Sequence, residues 1–118
     1  VKLLFLAIPF LVSLTGCMAS LQEIRQDGPL ESDTSTKSVD DLAKCTLFAW
    51  QASSFAGAHY QVFLMPREGG GLSVVNDFNR EFTDFHSEGD HTRVDFYSSI
   101  GRPSYVTDRR YQSVRDCL

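Results

Sequence analysis

Hydrophobic and polar positions divide the chain into three unequal stretches. Residues 3–14 are almost wholly apolar, from Leu3 to Leu14. Residues 18–37 have little apolar rhythm, and Glu23, Arg25, Asp27, Gly28, Pro29, Glu31 and the run Ser32 to Lys37 are polar, charged or turn-forming. From Ser38 onward the pattern becomes periodic, first with a helical and then with a strand repeat.

Ser38 is placed to cap a helix, and Asp40 and Asp41 suit the positive end of its dipole. Leu42, Cys45, Phe48, Ala49, Ala52 and Phe55 recur at helical spacing, which predicts a helix from about Val39 to Ser53 that stops near Gly57. Trp50 falls off the tightest stripe and is expected at one edge of the core. Tyr60, Val62 and Leu64 then alternate with His59, Gln61 and Phe63, a strand pattern that Pro66 closes. Glu68 to Gly71 reads as a turn, and Leu72 to Phe78 as the returning strand, with Leu72, Val74 and Phe78 on one face.

A third strand is expected from Glu81 to His86, with the phase of Phe82 and Phe85 ambiguous. Ser87 to Asp90 reads as another turn. A fourth strand runs from Thr92 to Ser98, with Val94 and Phe96 inward and Arg93, Asp95 and Tyr97 outward. Gly101 to Ser104 breaks the pattern, and Val106, Tyr111, Val114, Cys117 and Leu118 return to helical spacing. The order helix, four strands, helix predicts an α+β fold: a four-stranded antiparallel meander with the N-terminal and C-terminal helices on one face, in two layers.

The apolar N-terminal run changes the picture of where this fold resides. Lys2 precedes it, and twelve helical residues reach about 18 Å, short of the roughly 30 Å hydrocarbon core. Residues 1–16 are therefore expected to be a signal peptide. The run closes Leu14-Thr15-Gly16-Cys17, which resembles the lipobox of bacterial lipoproteins. The resemblance implies that Cys17 becomes the first residue of the mature chain and carries a thioether-linked diacylglycerol, so that the partner is a lipid bilayer. Multiple acyl chains give stable anchoring. Met18, where an Asp would retain the protein at the inner membrane, implies the outer membrane and leaves the face open. More loosely, the whole chain looks like the many short proteobacterial outer-membrane lipoproteins of unknown function, a likeness that implies no activity.

Residues 17–37 then read as a lipidated N-terminus and flexible tether, reaching roughly 25 Å, and residues 38–118 as the folded domain. Of the three cysteines, Cys45 and Cys117 remain to pair. An oxidising compartment predicts a disulfide between them that joins the first and last helices; an intermolecular bridge or two free thiols are the alternatives. Closing that loop would stabilise so small a domain by about 4 kcal/mol.

Composition excludes more than it proposes. A net charge of −4 on 118 residues lacks the basic stripe of a nucleic-acid binder. Loss of Lys2 leaves ten basic against fifteen acidic residues. Gly69-Gly70-Gly71 has no following Lys or helix, so it is no phosphate loop. His86, Glu88, Asp90 and His91 surround one turn but fit no metal-ligand spacing, His59 is expected in solvent, and no metal or cofactor is expected. No nucleophile elbow is present, and Glu81 and Asp84 have no fixed separation as a carboxylate pair.

The reading is a non-catalytic binding or envelope-assembly module. An inhibitor or immunity protein against a toxin, phage or hydrolase is the first alternative, and a periplasmic hydrolase the second. The candidate surfaces for an envelope protein partner are Phe63 and Tyr97 on the open sheet face and Arg109 and Arg110 on the last helix.

Overall fold

The computed structural model describes residues 20–76 and 80–118. Their architecture is α+β, with helices α1 (Leu21–Gln26), α2 (Val39–Ala52) and α3 (Tyr105–Cys117). The strands are β1 (Glu31–Ser35), β2 (Val62–Pro66), β3 (Leu72–Asn76), β4 (Glu81–Glu88) and β5 (His91–Ser98). All five form one antiparallel sheet in the order β1-β5-β4-β3-β2.

Two features depart from the expected four-stranded, two-layer fold, and both arise from the stretch whose polarity predicts a tether. Residues 31–35 pair with β5, Glu31 opposite Phe96 and Ser35 opposite Thr92. Residues 21–26 form a helix on the sheet face opposite α2 and α3, with Ile24 buried against Val75, Phe82 and Tyr97. Polar composition is a poor guide here because an edge strand needs only its backbone to be paired. A one-and-a-half-turn helix needs only one or two apolar anchors. Ser20 caps α1 by accepting from the Glu23 amide at 3.2 Å.

The two later helices lie where the sequence places them, but the buried stripe of α2 is Leu42, Ala43, Thr46 and Trp50, and the expected Cys45, Phe48 and Ala52 are exposed. Ser38 caps α2 through the Asp41 amide at 3.1 Å, and Ser104 caps α3 through Thr107 at 3.3 Å. Both pack on one face, over a core of Leu42, Ala43, Trp50, Val62, Val74, Phe85, Val94, Phe96 and Val114. Trp50 lies within that core rather than at its edge, with no exposed surface. Its indole meets Phe96 edge-on at 6.4 Å, and its N–H donates to the Arg110 carbonyl at 3.1 Å. The Cys45–Cys117 disulfide joins α2 to α3, with Cα atoms 5.9 Å apart.

The strand bounds shift in instructive ways. β2 begins at Val62, and Tyr60 lies ahead of it, its ring against Phe55 at 6.3 Å. β4 and β5 extend to Glu88 and from His91, so the turn between them narrows to Gly89 and Asp90. Gly89 takes φ +66° there, which favours glycine. Gly71 is more tightly constrained, since a Cβ at its φ of +90° would run into the Phe85 carbonyl oxygen. Phe78 lies outside the described residues.

Phe82 and Phe85 have no common phase because the sheet is buried on both sides. Phe85 faces α2 and α3, and Phe82 faces α1.

Candidate functional site

Cross-strand register sorts the side chains of the α1 face into rows. Phe63, Val75, Phe82 and Tyr97 lie in one row across β2, β3, β4 and β5; Met65, Ser73, Asp84 and Asp95 form the next. Helix α1 lies over the first row, where the Phe82 and Tyr97 rings stack at 4.6 Å. Tyr97, expected on an open partner surface, is therefore buried, at 7% exposure. Burial is also the main reason its hydroxyl is pushed above the usual tyrosine range.

The second row carries an ion cluster. Asp84 is wholly covered and accepts a bidentate pair from Arg25 of α1, Nε to Oδ2 and Nη2 to Oδ1, both at 2.8 Å. The Ser73 hydroxyl donates to the same carboxylate at 2.6 Å. Arg67 approaches at 3.6 Å, a charge contact beyond hydrogen-bond reach. The hydrogen bond to Asp84 raises the Arg25 pKa above its usual value, and its guanidinium also lies 5.1 Å over the Phe82 ring. Nearby, Asp95 accepts from Ser32 at 2.7 Å and from Arg93 at 3.1 Å.

A second buried polar group lies on the opposite face. Glu81 has no exposed surface, and it accepts from Asn76 at 2.6 Å and from the Thr107 hydroxyl at 3.2 Å. This ties β4 to α3 and to the end of β3. Beside it, Arg110 is only 1% exposed. Its guanidinium lies 5.1 Å over Trp50 and 4.9 Å over Phe55, and it donates to the Trp50 carbonyl at 3.2 Å. Arg110 is thus a brace between α2 and α3 and is withdrawn from the expected partner surface. Its helical neighbour Arg109 stays at the surface, donating to the Tyr105 hydroxyl at 3.0 Å.

Of the four expected partner residues, Phe63 and Arg109 remain accessible, and they lie on different parts of the molecule. Phe63 belongs to the feature that the sequence did not single out. β2 is an edge strand, and Phe63, Leu64 and Met65 are exposed at 49%, 39% and 38%. Leu64, expected to face the helices, is in register with Val74 but only partly covered.

The opposite edge is polar throughout. Asp33 accepts from Tyr111 at 2.8 Å, and Glu31 accepts from Arg102 at 2.6 Å. Desolvation, then the Asp33 carboxylate, push the Tyr111 hydroxyl up to about 12.

No group of three or more metal-binding side chains occurs among the described residues. His91 meets Asp90 at 3.1 Å in an exposed turn. An open groove of about 500 Å³ lies between the start of α2 and the β2–β3 turn, lined by Val39, Asp40, Gly69 to Leu72, His86 and Ser87. No described helix is long and apolar enough to cross a membrane. Neither a family model, nor a curated protein, nor a solved structure matches the chain.

The Arg25–Asp84 pair spans 59 positions, and no local pattern signals it. The out-of-phase Phe82 and Phe85 were the available sign that this face is covered.

Proposed function

We propose that this is a lipid-anchored protein of the bacterial cell envelope, held at the outer membrane through acylated Cys17. It acts there without catalysis, as a binding or assembly module whose envelope partner adds a strand to β2. The anchoring rests on the run Leu3 to Leu14 followed by Leu14-Thr15-Gly16-Cys17. The Cys45–Cys117 disulfide suits an oxidising compartment.

The binding role is carried by one observation: β2 ends the sheet with three consecutive exposed apolar residues and no charge between Val62 and Pro66. Such an edge offers unpaired backbone groups and apolar side chains on both faces, the requirements of strand addition. The β1 edge, with Glu31 and Asp33, has the charged character that discourages it.

Two substitutions test the two halves separately. Cys17→Ala is expected to release the protein from membranes, and unchanged fractionation would refute the anchor. Leu64→Lys places a charge on the edge without entering the core. It should abolish recovery of a partner that the acylated wild type retains, and equal recovery by both would refute strand addition at β2.

A further inference from the structure

We infer that the sheet face carrying α1 is the surface that rests on the bilayer, with Phe63 and Met65 entering the interface and Arg93 and Arg67 meeting anionic lipid headgroups. This rests on acylation of Cys17. The sequence alone suggested about twenty residues of slack between lipid and fold, and the structure removes it, because α1 begins at Leu21 and packs on the sheet. Four Cα steps separate Cys17 from Leu21, a reach of about 14 Å at most. The acyl chains must therefore enter the membrane close to where Leu21 meets Ile24, Val75, Phe82 and Tyr97.

The surroundings of that point suit a bilayer. Phe63 is directly opposite Val75, and Met65 directly opposite Ser73, so both side chains stand on this face. One strand spacing, about 4.8 Å, separates Phe63 from Val75, the nearest residue of its row beneath α1. The charged groups are layered. Asp84 and Asp95 are buried beneath Arg25, Arg67 and Arg93, whose side chains remain 19%, 23% and 41% exposed.

Three guanidinium groups thus overlie two covered carboxylates, on a chain that is acidic as a whole. Glu68 and Glu88 act on Arg25 and Arg93 at longer range, and Glu23 of α1 and Asp27 at its C-terminal cap are exposed. The positive contribution to headgroup contact is therefore local to the arginines. With this face down, α2 and α3 point away from the membrane, and the β2 edge opens sideways along its surface.

The test uses the acylated full chain in vesicles of phosphatidylethanolamine and phosphatidylglycerol doped with brominated phosphatidylcholine, a short-range quencher of tryptophan. Phe63→Trp places a reporter on the proposed contact face, and Phe48→Trp places one on the exposed side of α2. Buried Trp50 supplies the same background in both, and circular dichroism checks that each variant is folded.

The added emission of Phe63→Trp is expected to be quenched several-fold more than that of Phe48→Trp. Arg93→Glu, introduced into Phe63→Trp, should lessen that quenching. Equal quenching at both positions in protein that floats with the vesicles would overturn the seating and leave the anchor intact. A blue-shifted but unquenched Phe63→Trp would overturn it in favour of a protein covering this face. Quenching indifferent to Arg93→Glu would overturn the headgroup contact. Failure of the chain to float at all would refute the acylation reading, and the seating with it.

Discussion

The two faces of the sheet are covered by different means. Beneath α2 and α3, cohesion comes from area: Trp50, Phe85, Phe96, Leu42 and their neighbours form the larger core, and a disulfide joins the two helices that cover it. Beneath α1 the apolar cluster is small, Ile24 and Leu21 on Val75, Phe82 and Tyr97, and a bidentate ion pair fixes the helix in place. Apolar area is non-directional, so it attaches long helices well and short ones poorly. A six-residue helix has too little area to select one position. The Arg25 fork on Asp84 supplies direction instead, at the cost of burying a carboxylate that the rest of the face must satisfy.

Starting the chain at Ser38 should cost the molecule most. It removes α1 and β1, uncovers Phe82 and Tyr97, and leaves β5 as a bare edge; we expect loss of the cooperative urea transition, whereas a sharp transition like that of the longer chain would mean α1 and β1 are dispensable. Trp50→Ala should follow, with a cost of about 4 kcal/mol for emptying the larger core, read as a shift of the denaturation midpoint.

On the α1 face, Arg25→Ala strands the covered Asp84 carboxylate. We expect about 3 kcal/mol, the lower end for breaking a buried pair, because Arg25 is itself partly exposed. Arg25→Met combined with Asp84→Leu should recover most of that loss. A double variant as unstable as the single one would show that the ion pair does more than replace missing area.

The smallest effect is a pH dependence. Tyr111 titrates near 12 in the folded chain against 10 for an ordinary tyrosine. Above pH 10 the unfolded chain loses this proton first, so the stabilisation is full below pH 10 and fades as the pH rises through 12. Tyr111→Phe should flatten stability over that window relative to wild type. An unchanged slope would dissociate Tyr111 from the alkaline loss.

The second layer was readable along the chain wherever apolar residues repeat. Ser38, Leu42 and Ala49 mark α2, Tyr111, Val114 and Cys117 mark α3, and one of the two cysteines that pair lies in each helical pattern. Residues 21–35 could not be placed this way. Ile24 is a single buried anchor, and β1 pairs through backbone that any polar sequence provides. The same gap hid the fate of Tyr97, which looks outward only if α1 is absent. Arg110 departs from expectation for a different reason: charge on a helix face suggests solvent, whereas the rings of Trp50 and Phe55 enclose this guanidinium. Phe63 is exposed, as its place on the polar phase of a strand predicts.

The disulfide divides the molecule in a mechanical sense as well. Cys45 and Cys117 close a covalent ring that holds most of α2, four strands and α3, while α1 and β1 precede it. Tension arriving through the residues ahead of Leu21 would load the Arg25–Asp84 fork first and the β1–β5 ladder next, where Glu31 and Asp33 are held by Arg102 and Tyr111. Beyond Cys45 the ring cannot be drawn out as thread. While the disulfide is intact, a pull on the leading segment can therefore lengthen only the chain up to Cys45.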